Sequence, residues 1–140
     1  MPPRTPPTPL WKLCLAVAVG GGLGAIARFG VELGLAVSLP SPLLAGAVSL
    51  GVVNVLGSAG LGGLLGRIER RGAPAWLRPF LGIGCFGAFT TFSGFVAHLR
   101  VLEAQAGALP TTAFFLVSGF GAALLFDGFR RWERRRGPST

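Results

Sequence analysis

The chain has 140 residues, 51% of them hydrophobic and 13% charged, with a formal net charge of +8. A soluble domain carries about a quarter charged residues, so this balance and a mean hydropathy of +0.63 describe a one-domain membrane protein. The pI near 11.7 does not indicate nucleic acid, because the arginines flank apolar spans and have no soluble domain to sit on.

In chain order, residues 1–10 are proline-rich and read as a disordered tail. No small-residue cleavage site followed by a polar mature domain comes next, so the apolar stretch reads as a first span and not a removable signal. A span needs about 20 mostly apolar residues, and residues 11–38 supply the first. Near its middle stands Arg28. A charge there costs roughly 2.5–3.5 kcal/mol on insertion scales. Two readings stay open: Arg28 attracts an anion or clamps a pore, or it snorkels or pairs with Glu32 one turn later.

Leu39-Pro40-Ser41-Pro42 is a tight, uncharged turn into a second span, residues 43–66. Asn54, the sole asparagine, sits within it. Its amide has two N–H donors that suit a dehydrated anion. The plainer reading is helix–helix hydrogen bonding, worth about 0.6 kcal/mol on average. Ser58 follows four residues later on the same face.

A basic loop, residues 67–78, leads to the third span, residues 75–102. Its centre, residues 84–95, reads Gly-Cys-Phe-Gly-Ala-Phe-Thr-Thr-Phe-Ser-Gly-Phe: three glycines, three hydroxyls and four phenylalanines. That composition suits a helix that breaks near its middle and turns carbonyls, N–H groups and hydroxyls into a protein-lined pocket. It reads as a polar site at membrane depth, suited to an ion. Phe92 and Phe95 share a face, and a phenyl edge carries the positive end of the ring quadrupole. Thr91 lies beside them and is a further candidate for an ion pathway. A mildly polar turn, residues 103–110, precedes the fourth span, residues 111–129, in which Ser118 is the polar residue away from the ends and Phe114 lies one turn before it. The chain then ends in a basic tail, residues 133–140, so that residues 11–132 form the membrane domain.

Small-xxx-small pairs recur in the spans, as at Gly20/Gly24, Gly30/Gly34 and Gly62/Gly66, and suit close helix packing. Cys14 and Cys85 fall inside spans and read as small hydrophobes. Four crossings put both termini on one side. Eleven of the thirteen basic residues fall on that side: Arg4 and Lys12, Arg67 to Arg78, and Arg130 to Arg136; the opposite face has only Arg100. The positive-inside rule then predicts a multi-pass plasma-membrane protein with both termini cytoplasmic. No carboxylate pair lies within the spans and the sole histidine, His98, has no clear metal partners, so the sequence does not read as an enzyme.

Three motifs occur in order: Ala-Arg-aromatic at Arg28, Val-Asn-x-x-Gly-Ser at Asn54, and Gly-x-x-Gly-x-x-Thr-Thr-Phe-Ser-x-Phe from Gly84. Together they resemble the CrcB/Fluc fluoride channel family. The resemblance implies an antiparallel dimer of four-span subunits that lets fluoride leave the cell passively through narrow polar tracks. It implies that Asn54 is the pore asparagine, that Phe92 and Phe95 line the track with their ring edges, and that Ser118 places a hydroxyl on it. It also implies that the backbone carbonyls of Gly87 and Thr90 hold a structural sodium ion at the dimer interface. Three positions depart from the family pattern: Phe114 in place of a common tyrosine, Ala122 in place of a common hydroxyl, and Gly94 in place of the usual hydroxyl residue. One track is expected to be weakened by them.

The charge bias sharpens this picture. A subunit that inserts both ways needs balanced charge, and this one is strongly biased, so it is predicted to be one half of an antiparallel heterodimer with a homologous subunit; a homodimer is the alternative. Two other readings carry different consequences. A small proton-coupled multidrug or cation transporter needs a deeply buried carboxylate, and Glu32 is the only one available in the first span. An inert assembly subunit would carry the fold without conducting.

Overall fold

The computed structural model describes residues 8–136, so most of the proline-rich tail and the end of the basic tail lie outside the described residues. All regular structure among the described residues is helical. Helix α1 spans Leu10–Ser38 and α2 spans Pro42–Arg71. The third membrane segment is composite: α3 comprises a π-wound stretch, Arg78–Phe86, and one α-helical turn, Gly87–Phe89, and α4 follows at Phe92–Ala106. Helix α5 spans Ala108–Arg135. Four segments are long and apolar enough to cross a membrane, with α3 and α4 together counting as one. At 1.5 Å per residue, helices of 28–30 residues exceed a hydrocarbon core about 30 Å thick, so their charged ends project beyond it.

Proline and glycine chemistry sets the connections. Leu39 and Ser41 each precede a proline and are extended, at φ −108°, ψ 139° and φ −118°, ψ 124°, because the following pyrrolidine ring disfavours helical backbone. Ser41 then caps α2, its hydroxyl accepting from the Leu44 N–H at 3.4 Å. Gly72 and Gly107 adopt φ 70° and 87°, with ψ near 180° at both, a conformation open essentially to glycine alone. Gly107 is the whole connection between α4 and α5. The polar turn expected over residues 103–110 is therefore one residue long, with helix on both sides. Helix α5 likewise runs past residue 132 to Arg135, into the stretch predicted as tail.

Glycine contacts show how the helices pair. Gly20 and Gly24 of α1 meet the backbone of Phe80 and Cys85 in α3, and Gly84 meets Val17 in return. Gly62 and Gly66 of α2 meet the backbone of Phe126 and Arg130 in α5. In both pairs sequence number rises together, so each pair runs parallel. Small residues let these backbones touch, as membrane helix packing requires. At the third small-residue pair, Gly30/Gly34, an added Cβ would meet nothing among the described residues. The start of α1, the end of α2, the start of α3 and the end of α5 thus share one end of the bundle. Glu69 of α2 pairs there with Arg130 and Arg134 of α5, and Arg70 with Glu133 at 3.1 Å. The interior is thin: Ala45, Leu50, Val53 and Phe95 are the buried hydrophobic residues among those described.

The break expected near the middle of the third segment is not confirmed as a bend. Thr90 and Thr91 leave helical geometry, at φ −77°, ψ 153° and φ −145°, ψ 120°, but the segment bends by only 13°. Asn54 and the Thr91 hydroxyl occupy hydrogen-bonding groups released at the interruption, so both halves stay in line.

Candidate ion pathway

The interruption at Thr90–Thr91 lies against α2, and Asn54 meets it with both ends of its amide. Its Nδ2 donates to the Thr91 carbonyl at 3.3 Å, and its Oδ1 accepts from the Thr91 N–H at 3.0 Å. The Thr91 hydroxyl oxygen accepts from the Gly94 N–H at 3.1 Å and caps α4. Thr90 bonds back to the Phe86 carbonyl through its hydroxyl, at 2.9 Å, and through its N–H, at 3.0 Å.

These bonds have a consequence for two carbonyls. In an unbroken helix the Gly87 carbonyl would accept from the Thr91 N–H, and the Thr90 carbonyl from the Gly94 N–H. Both donors are engaged elsewhere, by Asn54 and by the Thr91 hydroxyl. The two carbonyls named by the sequence resemblance are therefore among those at the interruption that lose their helical donors. Neutral carbonyl oxygen suits a hard cation such as sodium, so this donor set fits the implied ion.

A cavity of about 290 Å³ opens beside the interruption. Asn54, Thr90, Thr91, Phe92, Phe95 and Ser118 all line it, with Ser58 and Ala122. The walls are mainly apolar and a few polar groups converge, the usual character of a ligand-binding concavity. The Ser58 and Ser118 hydroxyls make no hydrogen bond to another described residue. Asn54 keeps one amide N–H beyond the one given to Thr91, and the Thr91 hydroxyl keeps its proton after accepting from Gly94. The lining residues thus carry four hydrogen-bond donors without a described partner, and no fixed charge.

The two phenylalanines occupy different settings. Phe95 is 6% exposed and lies between Phe114 and Phe115, at 5.7 Å from each ring centre and tilted by 33° and 31°. Phe92 stands at the rim, 74% exposed. Gly57 of α2 faces Thr90 and Phe89, where a side chain would strike the Thr90 methyl group. Sequence reasoning quoted Gly57 only as part of the Val-Asn-x-x-Gly-Ser motif and gave it no role of its own; it missed Phe115, whose spacing does not set it apart from packing residues.

Other candidates lie elsewhere. Arg28 does not line the cavity. It pairs with Glu32 at 3.6 Å on α1, the simpler of the two readings left open. Of the three departures from the family pattern, only Ala122 is on this cavity wall. Gly94 lines a separate concavity with Glu32 and His98, and Phe114 supports Phe95.

The family model described as CrcB-like protein, Camphor Resistance (CrcB), matches residues 15–129. The chain belongs to this family. The match reaches into all four membrane segments and includes every candidate pathway residue named above. Among CrcB relatives, the fluoride-specific ion channel FluC of Rhodospirillum centenum is 40% identical over 118 residues, 78% of this chain and 84% of that protein. FluC of Mesorhizobium japonicum is 35% identical over 125 residues, 89% of this chain and 97% of its own length. FluC 2 of Thermobifida fusca is 48% identical over 84 residues, 59% of each chain. The CrcB chain described here is thus a multi-pass membrane protein by both family and helix length.

Proposed function

We propose that this chain is a subunit of a fluoride-selective channel that passively lets fluoride out of the cytoplasm. The observation that carries this reading is the cavity in which Asn54, Thr91, Ser58 and Ser118 converge without a carboxylate or a fixed cation. Fluoride is small and strongly hydrated, and losing its water is costly unless donors replace it. Neutral amide and hydroxyl donors, with the positive ring edges of Phe92 and Phe95, supply replacements. Without a fixed positive charge on the wall the ion is not trapped, and conduction needs binding weak enough to leave.

The Gly87 and Thr90 carbonyls are the groups that would hold a sodium ion. When bound, the ion would offset the dipoles of carbonyls that lack helical donors. In our reading an antiparallel partner subunit completes the pathway, the charge bias makes that partner a distinct homologous chain, and both termini face the cytoplasm. The transporter alternative lacks support, because Glu32, the carboxylate it needs, is paired with Arg28. The family's channels also disfavour an enzyme.

Efflux from liposomes tests the proposal, with the chain purified alone and then mixed with a homologous subunit. Release of fluoride but not chloride is the expected result, from the mixture only if the partner is obligatory. Absence of fluoride release from folded protein in both preparations would overturn the channel reading.

A further inference from the structure

A second concavity lies at the basic end of the bundle, between α1 and the start of α3. It holds about 410 Å³ and is walled by Trp11, Leu15, Ala16, Val19, Trp76 and Phe80, with Lys12 its only charged residue. Its origin is the change in side-chain size along one helix pair. At Gly20, Gly24 and Gly84 the backbones of α1 and α3 touch. Toward the helix starts the facing residues become large, and Trp76 and Phe80 stand edge to face with ring centres 6.0 Å apart. The helices cannot close there, and a groove results.

We propose that this groove holds one acyl chain of an anionic phospholipid, with the headgroup phosphate on Lys12. Water is a poor occupant, because a stable water needs two to four polar partners and the wall is apolar apart from Lys12. An acyl chain matches that wall. Trp11 and Trp76 are 64% and 49% exposed, and tryptophan favours the headgroup level, which places the groove mouth among the phosphates. The Lys12 ammonium lies 5.4 Å from the Trp11 ring centre, at that mouth. The same end carries Arg67, Arg78 and the arginines of α5, and such clusters attract anionic lipid. A zwitterionic lipid offers Lys12 no net charge. The site is independent of fluoride conduction.

Bromine-labelled lipid tests it, because bromine quenches tryptophan at short range. The full chain carries three tryptophans, so Trp132→Phe restricts the signal to Trp11 and Trp76. This protein is placed in phosphatidylcholine nanodiscs with a minor fraction of phosphatidylglycerol, and bromine is put on the chains of one lipid or the other. Brominated phosphatidylglycerol is expected to quench more strongly than brominated phosphatidylcholine at equal mole fraction. Lys12→Gln should reduce that preference about fivefold, the worth of one basic residue near the membrane surface. Ala16→Phe should fill the groove and abolish the preference with Lys12 intact; if it does not fold, the exposed Lys12→Gln substitution still decides. Equal quenching by the two lipids would mean ordinary boundary lipid and overturn the proposal. Protection from both lipids, with a disulfide between copies carrying Leu15→Cys and Cys14→Ser, would put a second copy in the groove and also overturn it.

Discussion

Asn54 holds the interruption together and also lines the candidate pathway. Its amide pairs with both backbone groups of Thr91, which otherwise would lie unpaired at membrane depth. Leaving a buried donor or acceptor unsatisfied costs about 1–3 kcal/mol. Asn54→Ala is therefore expected to lower stability by about that much in detergent melts and to abolish fluoride efflux. Ser118→Ala offers the contrast. Its hydroxyl lines the cavity and supports no other described group, so melting should hardly move while efflux falls. A fall in stability without loss of efflux for Asn54→Ala would assign that residue to packing alone. The sequence singled out Asn54 because an amide is rare in a span; that it pairs with Thr91 was not legible, since the two are 37 positions apart.

At the scale of elements, the third segment and its exit depend on glycines with distinct tasks. Gly57 admits the Thr90 methyl group, and Phe89 would lie 3.2 Å from an added Cβ. Gly57→Ala should push α3 away from α2, disturb the interruption and lower efflux. Gly107 holds φ 87° with α4 ending and α5 beginning at it. Gly107→Ala is expected to destabilise by about 1–3 kcal/mol, read as a lower melting temperature, with the cavity residues untouched. Gly21→Ala is the control, because a Cβ added there would point into open space. Composition exposed the unusual character of residues 84–95. The interruption falls at Thr90–Thr91, but a run of glycine and hydroxyl residues does not reveal whether other groups will take over the lost helical bonds and keep the segment nearly straight.

For the whole molecule, charge and pairing point to one end. Glu69 and Glu133 tie α2 to α5 beside the arginines, so the basic residues of separate segments form one surface. Such a subunit should insert in one orientation. Accessibility labelling of single cysteines near each end, with the chain expressed alone, is expected to mark one side only. Two populations of opposite orientation would remove the case for a fixed-orientation partner. Of the three small-residue pairs, Gly30 and Gly34 are the one with no contact to another helix among the described residues and so are available to a partner helix. Bulky substitution there should spare the melting of the subunit.

The sequence by itself determined the four spans, their shared basic end and the residue types that line the candidate pathway. Those properties follow from local quantities: hydropathy over a window, charge count, and side-chain chemistry. Tertiary structure alone decided which groups meet. It joined Asn54 to Thr91, diverted the donors of the Gly87 and Thr90 carbonyls, brought Ser118 to the same cavity, and kept Arg28 with Glu32 outside it. The physical reason is that a helix fixes only neighbours three and four residues apart. Everything more distant depends on which small residues let two helices touch, and that is settled when the bundle packs.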